Sequence, residues 1–501
     1  MVMREGNKSE SENLPFVRTG TAILGVLILS LIVSRLLYPF GVGTWEAFNW
    51  MPAAHFLQGE NPYAFAVTPP YGMSPYGIVY YALVAIGVEI FGYQLWFGRL
   101  LSVLAFAVCL WAVSRLANRL TGDGETVWVV CLAALAMFPA QAWIGVMRSD
   151  LIAAAFAFSA LALVFRLDEK EKTTFPAVVA LISLVSAAIF TKQTYLLSTG
   201  IIFLRLLQLK KWREAFVFGG GVVLIVSGGM FLLDQTSSGG YVWQHFTHAQ
   251  RLPYSFRQCL DVLTAMLEQP AFFLSIVCLL VFAFQKRQAF GNLTFYGSAK
   301  IVRSPKVLFF LYLLLSFAGS FFSTGRVGGN VNYYIENSLL LAIAIGMVAE
   351  HFKRNALKNV AAAMIFLLIA GGAFQMVRLF RGEYFRWQSL SYYREIFETA
   401  GDVIPPGGKC ISINPELVVW NGCQFNFDDF EEYNGGWSPE LTEVFEKEIR
   451  TGQYAAIIWM DDKFMERFPN YHLIKMSQSV PEKFYPIYLY VPNAPPAAEN
   501  R

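Results

Sequence analysis

Residues 21–40 read TAILGVLILSLIVSRLLYPF, an apolar run in which Arg35 carries the single charge. A helix needs about 20 such residues to cross the hydrocarbon core of a bilayer, so this run predicts a first membrane span. It is longer than the apolar core of a signal peptide, and no A-x-A cleavage pattern follows it. We therefore expect the span to be retained, with residues 1–20 as a cytoplasmic tail.

The rest of the chain has the same apolar character. Of its 501 residues, 55% are hydrophobic and 15% are charged, against roughly 25% charged residues in soluble proteins. This composition excludes a soluble enzyme, a disordered chain and a fibrous repeat, and a net charge of +3 gives no indication of nucleic-acid binding. Ten further runs predict spans, which makes eleven in all: 97–115, 126–145, 151–166, 174–190, 194–209, 214–233, 270–285, 306–322, 334–350 and 360–379.

One more apolar run, at 76–93, decides the orientation of the chain. If it does not cross, 17 Lys and Arg residues lie in loops on the side of the basic N-terminus and five lie opposite. If it did cross, the 17 would face outward, against the positive-inside rule. We therefore expect 76–93 to lie in the outer interface, which also suits Glu89 better than mid-membrane. This predicts a multi-pass protein of the plasma (inner) membrane with a cytoplasmic N-terminus.

Residues 381–501 are expected to form a small extracytoplasmic α/β domain. The turn sequence PPGG at 405–408 precedes KCISI, YAAIIWM and PIYLYV, which are typical of short strands. The segment SPELTEVFEKEIRTG is typical of a helix with Ser438 at the N-cap and Gly452 at the end. Cys410 and Cys423 could form a disulfide in an oxidising compartment. The domain could bind an acceptor, shield a site or recruit a partner, and its sequence does not distinguish between these roles.

Polar residues collect at the outer ends of the spans in this topology. The cytoplasmic loops are short and basic, and they carry no P-loop or GxSxG pattern, so a nucleotide-driven reaction inside is not expected. A substrate activated on a polyprenyl lipid, which has already crossed the membrane, fits better. The polar residues at these outer ends are Glu46, Glu60, Asn61, Arg148, Asp150, Lys192, Gln193, His245, His248, Arg251, Arg257, Arg326, Asn330, Asn332, Tyr333, Tyr334 and Glu336.

A polyprenyl-phosphate donor needs cations for its phosphate and a carboxylate to deprotonate the acceptor hydroxyl. Lys192, Arg326 and Arg148 are the candidate cations, and Glu46 is the candidate base. Residues expected to contact the substrate are Tyr63, Asn61, Gln193, Tyr333, Glu336 and His248.

Each of these residues also has a purely structural interpretation, and the sequence leaves the alternatives open. Glu46 could be a solvated loop acid, and Asp150 could stabilise a helix N-terminus. Lys192 could be an interfacial anchor that snorkels to the membrane surface. Arg326 could cap a helix or hold Glu336.

Six segments of the chain carry a family resemblance: WEAFNWMPAAHFLQGENPY, MSPYGIVYYALVAIGVEIFG, WFGRLLSVL, RSDLIAAAFAFSALAL, TKQTYLL and GGNVNYYIENSLLLA. They resemble the GT-C superfamily of integral-membrane glycosyltransferases, in particular the branch of protein O-mannosyltransferases and the aminoarabinose transferase of lipid A. The resemblance covers roughly residues 20–380. It implies a membrane all-α bundle of about eleven transmembrane helices, with juxtamembrane helices in the first outer loop, 41–96, that do not cross.

The resemblance also implies a reaction. The domain 21–380 would transfer a sugar, with inversion, from a polyprenyl-phosphate donor to a hydroxyl of a lipid, glycan or protein acceptor. Glu46 stands at the position of the family's first-loop base, where Asp is more frequent, and Trp45 precedes it. Asp150 matches the second-loop acid that helps to arrange the site. Because this branch does not generally need a catalytic metal, we expect neither a metal nor another cofactor.

Two other functions are compatible with a membrane protein of this size. A lipid or polysaccharide transporter with an outer sensing domain is the alternative. Inverted repeats or buried mid-span acids would favour it, and the sequence shows no such repeats and few such acids. An O-antigen-ligase-like enzyme, using a diphosphate-linked glycan, should keep its main loop late in the chain, whereas in this chain the first loop carries the pattern.

Overall fold

A computed structural model of the chain describes residues 14–42, 46–64, 74–167, 173–248, 252–291, 304–326, 328–354, 357–404, 408–412, 424–425, 439–459, 469–476 and 488–493. The chain divides into two units. The first, called the helical unit, comprises Met1–Ser34, Leu101–Val226 and Ser255–Phe380. The second, called the mixed unit, comprises Arg35–Leu100, Ser227–Tyr254 and Arg381–Arg501.

Most of the described chain is helical. The 3-10 turns Ala47–Asn49, Gln193–Tyr195 and Val331–Tyr334 lead into helices, and the π turn Trp243–His248 follows one. The helices are α1 (Leu14–Leu37), α2 (Trp50–Leu57), α3 (Ile78–Phe91), α4 (Leu95–Thr121), α5 (Gly124–Ala136), α6 (Phe138–Trp143), α7 (Asp150–Arg166), α8 (Phe175–Thr191), α9 (Leu196–Gln208), α10 (Trp212–Thr236), α11 (Gly240–Val242), α12 (Phe256–Leu267), α13 (Pro270–Gly291), α14 (Pro305–Ser323), α15 (Ile335–Arg354), α16 (Lys358–Gln388), α17 (Leu390–Val403) and α18 (Pro439–Arg450).

All eleven runs expected to be spans are helical, which confirms the membrane all-α class. Within the described residues, six helices are long and apolar enough to cross a membrane by length and composition, or seven if a bent pair counts as one span. That pair is α12 with the first part of α13, bent by 93°. The run 126–145 is not one helix: it divides into α5 and α6, because Pro139 in the first turn of α6 lacks the N–H that a continuing helix needs.

The candidate spans differ in how far they are buried. Val331–Lys353, which overlaps α15, is 89% buried, whereas Trp212–Thr236 is 11% buried. Gly346 of α15 lies against α5, where an added Cβ would stand 2.4 Å from Val130 Cγ2. A glycine therefore lets these two helices approach closely. As a consequence, the polar residues at the start of α15 lie inside the unit.

The first loop in the mixed unit folds as the expected short helices. The turn Ala47–Asn49 continues directly into α2, which packs against α3. Helix α3, within the run 76–93, has 14 residues. At 1.5 Å per residue it is about 21 Å long, short of the roughly 30 Å hydrocarbon core. Its Glu89 is exposed, as the interfacial placement requires.

The mixed unit also contains five strands: β1 (Lys409–Ser412), β2 (Gln424–Phe425), β3 (Ala456–Trp459), β4 (Tyr471–Met476) and β5 (Tyr488–Pro492). They form one sheet in the order β2-β1-β3-β5-β4. Strand β1 pairs in parallel with β2 and β3, and β5 pairs antiparallel with β3 and β4. Three strands and α18 were expected, whereas β2 and β4 were not. Strand β2 has only two residues, and β4 contains an irregularity between Leu473 and Lys475 that breaks the alternation of a regular strand.

The core of the mixed unit joins the sheet to the start of the first loop. Tyr38 and Phe40, just after α1, share a buried cluster with Phe397 of α17 and Leu489 of β5. The first loop is therefore anchored on the same apolar core as the sheet.

The cysteine and capping predictions for the C-terminal region are partly observed. Cys410 is disulfide-bonded, and Cys109, Cys131, Cys259 and Cys278 are free. Gly452 has φ +71°, the left-handed conformation that favours glycine after a helix. Two of the residues named in the predictions, Cys423 and Ser438, lie outside the described residues.

Candidate functional site

Glu46, the expected base, is fully buried at the start of the first loop, with 0% of its side chain exposed. Arg99 of α4 donates from Nη2 to Glu46 Oε2 at 2.8 Å and from Nε to Oε1 at 3.1 Å. The backbone N–H of Val42 donates to Oε2 at 2.6 Å. Glu46 is therefore held in a two-pronged ion pair, and both of its oxygens accept hydrogen bonds.

Arg99 also fixes the end of the first helix. Its guanidinium donates to the backbone carbonyl oxygens of Arg35, Tyr38 and Phe40. The last carbonyls of a helix have no partner within the helix, so Arg99 satisfies the C-terminus of α1 while it pairs with Glu46. One side chain thus determines how the chain enters the first loop. The sequence interpretation missed this, because Arg99 was taken as the start of a span.

Asn61 and Tyr63, which were expected to contact substrate, fix the middle of the first loop. Asn61 Nδ2 donates to the carbonyl of Leu233 at 3.0 Å and to Thr236 Oγ1 at 2.7 Å. Asn61 Oδ1 accepts from the backbone N–H of Tyr63 at 3.0 Å. The hydroxyl of Tyr63 donates to the carbonyl of Tyr76 at 2.8 Å. These bonds tie the loop to the end of α10.

Aromatic rings enclose Tyr63. Its ring centroid lies 4.9 Å from that of Tyr241 and 5.2 Å from that of His245. Gly240 makes the approach possible, because a Cβ there would stand 2.1 Å from the carbonyl oxygen of Tyr63. Burial raises the pKa of Tyr63 and lowers the pKa of His245 to about 4, so both are neutral at pH 7. The side chain of His248 lies outside the described residues.

A second group of expected site residues meets in the helical unit, around Asp150. Asp150 begins α7, and its side chain is 2% exposed. Lys192 Nζ donates to Asp150 Oδ1, and Asn332 Nδ2 donates to the same oxygen at 2.9 Å. Arg148 Nε lies 3.6 Å from Oδ2. The structure therefore brings together three residues that the sequence places in two different loops, and adds Asn332 from a third.

The charges of this group favour an anionic ligand. Two cations, Lys192 and Arg148, flank one carboxylate, so the group has an excess of one positive charge. Aromatic rings support both cations: Lys192 Nζ lies 4.8 Å from the ring centroid of Tyr333, and Arg148 lies 5.9 Å from that of Trp143. Asp150 positions the cations, and a phosphate is the kind of group that they would bind.

A cavity of about 100 Å³ lies beside Lys192. Glu336, the first acid of α15, reaches its wall and accepts hydrogen bonds from the hydroxyl of Tyr312 and, at 3.0 Å, from Ser316 Oγ. Lys192, Tyr333 and Glu336 all line this cavity, and their contacts with substrate stay a prediction. Its lining residues are Lys192, Thr194, Tyr195, Leu197, Ser316, Gly319, Ser320, Ser323, Asn332, Tyr333 and Glu336.

Two expected site residues lie elsewhere in the helical unit. Gln193 is partly exposed in the turn after Lys192 and is absent from the cavity wall as far as the structure describes it. Arg326 is also partly exposed, and its backbone carbonyl accepts from Gln258 Nε2 at 2.8 Å. The phosphate-binding role of Arg326 stays a prediction.

The sequence interpretation gave no role to Asn332, Tyr312 or Ser316. Asn332 was counted among the outer polar residues, and its place in GGNVNYYIEN was a usable signal. Tyr312 and Ser316 were taken as parts of an apolar span, and only the packing of α14 against α15 shows that they face Glu336. Among the residues that the structure describes, no three His, Cys, Asp or Glu side chains are grouped to hold a metal ion.

One family matches part of the sequence. Residues 53–208 match the family described as Alpha-(1->6)-mannopyranosyltransferase, N-terminal domain. The matched segment includes Asp150 and Lys192. No curated protein matches the chain.

Solved structures with a similar fold cover nearly the whole chain. ArnT from Cupriavidus metallidurans bound to undecaprenyl phosphate has a TM-score of 0.61 at 14% identity, over 94% of this chain and 97% of that one. Its apo state has the same TM-score at 13% identity and the same coverage of both chains. The archaeal oligosaccharyltransferase AglB from Archaeoglobus fulgidus, in complex with an inhibitory peptide and a dolichol-phosphate, has a TM-score of 0.50 at 11% identity. That match covers 90% of this chain and 70% of AglB.

The sequence match and the shared fold agree with the resemblance of the motifs. The chain thus has the fold of ArnT and AglB, and its residues 53–208 match a mannosyltransferase domain, which agrees with a multi-pass membrane glycosyltransferase.

Proposed function

We propose that the chain transfers a sugar from a polyprenyl-phosphate donor to a hydroxyl of a lipid, glycan or protein acceptor. The observation that carries the proposal is the pair of cations, Lys192 and Arg148, held by the buried Asp150 beside a polar cavity. Undecaprenyl phosphate in ArnT and dolichol-phosphate in AglB show that lipid phosphates bind to proteins of this fold. The mannosyltransferase family match supports transfer of a hexose.

In the proposed reaction the donor phosphate lies against Lys192 and Arg148. The acceptor oxygen attacks the anomeric carbon and gives its proton to a carboxylate. The bond from that carbon to the phosphate oxygen breaks, and polyprenyl phosphate leaves with the electron pair, so the anomeric configuration inverts. The two cations stabilise the charge that develops on the leaving phosphate. No metal is needed for this scheme.

The carboxylate that takes the proton is, in this proposal, Glu46, as the resemblance implies. Its contacts add a condition. Its side chain is fully buried against Arg99 and the loop backbone, so the carboxylate must become accessible to the acceptor hydroxyl before the proton can move.

The membrane placement belongs to the same proposal. The 17 basic residues of one set of loops put the N-terminus in the cytoplasm, and the reaction at the outer face of the plasma (inner) membrane. The region 381–501 would then lie outside, where the disulfide of Cys410 is chemically compatible with the compartment.

The experiment that tests the proposal measures binding of undecaprenyl phosphate by the purified protein in lipid nanodiscs. A charge-assisted hydrogen bond contributes about 1.5–3 kcal/mol, so Lys192→Gln should weaken binding roughly 10- to 100-fold. Lys353→Gln is the matched control, because Lys353 pairs with Glu125 at 3.0 Å near the other end of α15. The proposal fails if the wild-type protein does not bind the lipid phosphate, or if both variants bind it equally well.

Turnover separates transfer from transport. Membranes that carry the Lys192→Gln variant should accumulate one polyprenyl-phosphate sugar, which mass spectrometry of the extracted lipids would identify. A transporter would instead move the lipid-linked sugar across the membrane without releasing polyprenyl phosphate. That result would show that the protein is a transporter and not a transferase.

A further inference from the structure

A second buried ion pair belongs to the same unit as Glu46, and the proposed reaction does not use it. Arg35, in the last turn of α1, donates from Nε to Glu383 Oε1 at 3.1 Å, and both side chains are 3% exposed. Arg386, one turn further along α16, donates to the same oxygen of Glu383. Buried charges in a membrane protein are costly, so such a pair is usually retained for a function.

The two ion pairs are joined through the end of α1. Arg99, the partner of Glu46, donates from Nη1 to the backbone carbonyl of Arg35. Just after α1, the ring of Tyr38 meets the ring of Trp387 edge to face, with 5.5 Å between the centroids. The end of α16 therefore holds the segment that leads from α1 into the first loop.

The charge of Arg35 also acts on the expected base. The charged side chains that interact electrostatically with Arg35 are Glu383, Arg386 and Glu46. Of these, Arg386 has the same sign and is 28% exposed, so solvent weakens its effect. The buried arginines, Arg35 and Arg99, are balanced by the two buried carboxylates. Loss of Glu383 would leave the charge of Arg35 within range of Glu46 without its present partner.

A positive charge near a carboxylate makes it a weaker base, because the charge stabilises the ionised form and opposes uptake of a proton. Arg99 already exerts this effect on Glu46. The charge of Arg35 would add to it, unless another carboxylate offsets that charge. Glu383 is placed to do so, since it accepts a hydrogen bond from Arg35 and does not contact the first loop through this bond.

We propose that Glu383 is a positioning residue for the transfer reaction: it holds and neutralises Arg35, so that Glu46 stays basic enough to take the acceptor proton. This proposal rests on the proposed function above, in which Glu46 is the base. Glu383 lies outside residues 53–208, which match the mannosyltransferase family, and outside residues 20–380, which carry the motif resemblance. Only its contacts at the end of α16 point to this role.

The test is the pH profile of turnover, measured as release of undecaprenyl phosphate from undecaprenyl-phosphate mannose in native membranes that carry each variant. Wild-type turnover should fall at acidic pH, where Glu46 is protonated. Glu383→Gln keeps the shape of the side chain and removes its charge. It should move this acidic limb to lower pH by up to about one unit, and reduce turnover at neutral pH roughly 3- to 10-fold.

Arg35→Gln should have an effect of the opposite sign. It leaves the charge of Glu383, partly offset by Arg386, so the acidic limb should move to higher pH. In the double variant Arg35→Gln/Glu383→Gln the buried pair carries no charge, so the limb should return to its wild-type position. An ion pair that served only stability would not produce opposite shifts that cancel.

Glu398→Gln, at an exposed position of α17, is the control and should leave the profile unchanged, because solvent screens its charge. Binding of undecaprenyl phosphate in nanodiscs shows that each variant is folded. An acidic limb that stays in place, or that moves in the same direction in Glu383→Gln and Arg35→Gln, would overturn the role of Glu383.

If Glu383→Gln does not fold, the comparison of Arg35→Gln with the double variant isolates the charge of Glu383. The limb should then lie at lower pH in the double variant, and equal limbs would overturn the proposal. Two other results would instead overturn the proposed function: no release of undecaprenyl phosphate by the wild-type protein, or unchanged turnover by the Glu46→Gln variant.

Discussion

The ion pair between Glu46 and Arg99 gives the sharpest quantitative expectation, because each partner has a different number of bonds to lose. Arg99 donates five hydrogen bonds, two to Glu46 and three to backbone carbonyls in the last turn of α1 and just after it. Arg99→Leu leaves a buried carboxylate without its counter-charge, which costs about 3–5 kcal/mol, and it also leaves those carbonyls unsatisfied. We expect Arg99→Leu to destabilise the protein by at least that much.

Glu46→Gln should cost less than Arg99→Leu. The amide oxygen still accepts one bond, and Arg99 keeps its three carbonyl partners, so we expect a loss of about 1–3 kcal/mol. In the double variant with Leu at both positions no charge is left unpaired, so part of the loss from Arg99→Leu should be recovered. Thermal unfolding of the purified protein in nanodiscs measures these differences.

The control is the partly exposed pair of Lys353 and Glu125, whose side chains are 25% and 30% exposed. Lys353→Leu should cost no more than about 1 kcal/mol, because solvent screens such pairs. If Arg99→Leu unfolded at the same temperature as this control, the inference that Arg99 fixes the entry to the first loop would be wrong.

Transfer activity of the same variants separates the two roles of Glu46. As the base, Glu46 is needed for proton transfer, so Glu46→Gln should abolish turnover at temperatures where the variant is fully folded. Glu46→Asp keeps a carboxylate and should retain part of the activity. If the folded Glu46→Gln protein kept substantial turnover, Glu46 would not be the base. Its role would then be structural, through its bonds with Arg99 and the loop backbone.

Two further expectations concern the mixed unit. Tyr93→Cys, at a position 37% exposed, should react with a membrane-impermeant thiol reagent from outside the cell; labelling from the cytoplasm would contradict the eleven-span topology. Gly87 is unsuitable for this purpose, because a Cβ there would stand 2.0 Å from the ring of Phe97. Burial lowers the pKa of His245 to about 4, so as the pH falls the unfolded chain takes up a proton before the folded protein does. The free energy of unfolding should therefore decrease by as much as about 3 kcal/mol as the pH drops from about 6.5 to 4. The His245→Phe variant should lose this pH dependence of the unfolding midpoint. An unchanged dependence would refute its assignment to His245.

The local elements could be predicted because burial leaves a pattern along the chain. Eleven apolar runs are helical, the first loop contains short helices, β1 and β3 fall within the expected strand segments, and β5 overlaps the third segment. Helix α12 was missed because it lies within a loop that was expected only to carry polar residues. Its bend of 93° against α13 depends on packing, which no run of apolar residues records.

The candidate site, too, was predictable from the sequence only in part. Charge and position at span ends selected Lys192 and Arg148 as candidates to bind a phosphate, and the family resemblance selected Asp150. The sequence could not show that Asn332, 182 positions after Asp150, donates to the same oxygen as Lys192. Nor could it show that Glu46 is buried against Arg99, since a loop acid and an arginine in a span have no pattern that links them.

The sequence by itself determined that the chain is a membrane protein with a polar first loop, a small C-terminal α/β region and the motifs of GT-C glycosyltransferases. Hydropathy and turn chemistry are local, so each stretch of chain carries that information alone. Only the tertiary structure decided which polar groups meet. Partners such as Glu336 and Tyr312 come together because buried polar groups must find one another where helices pack, and helix packing depends on the whole fold.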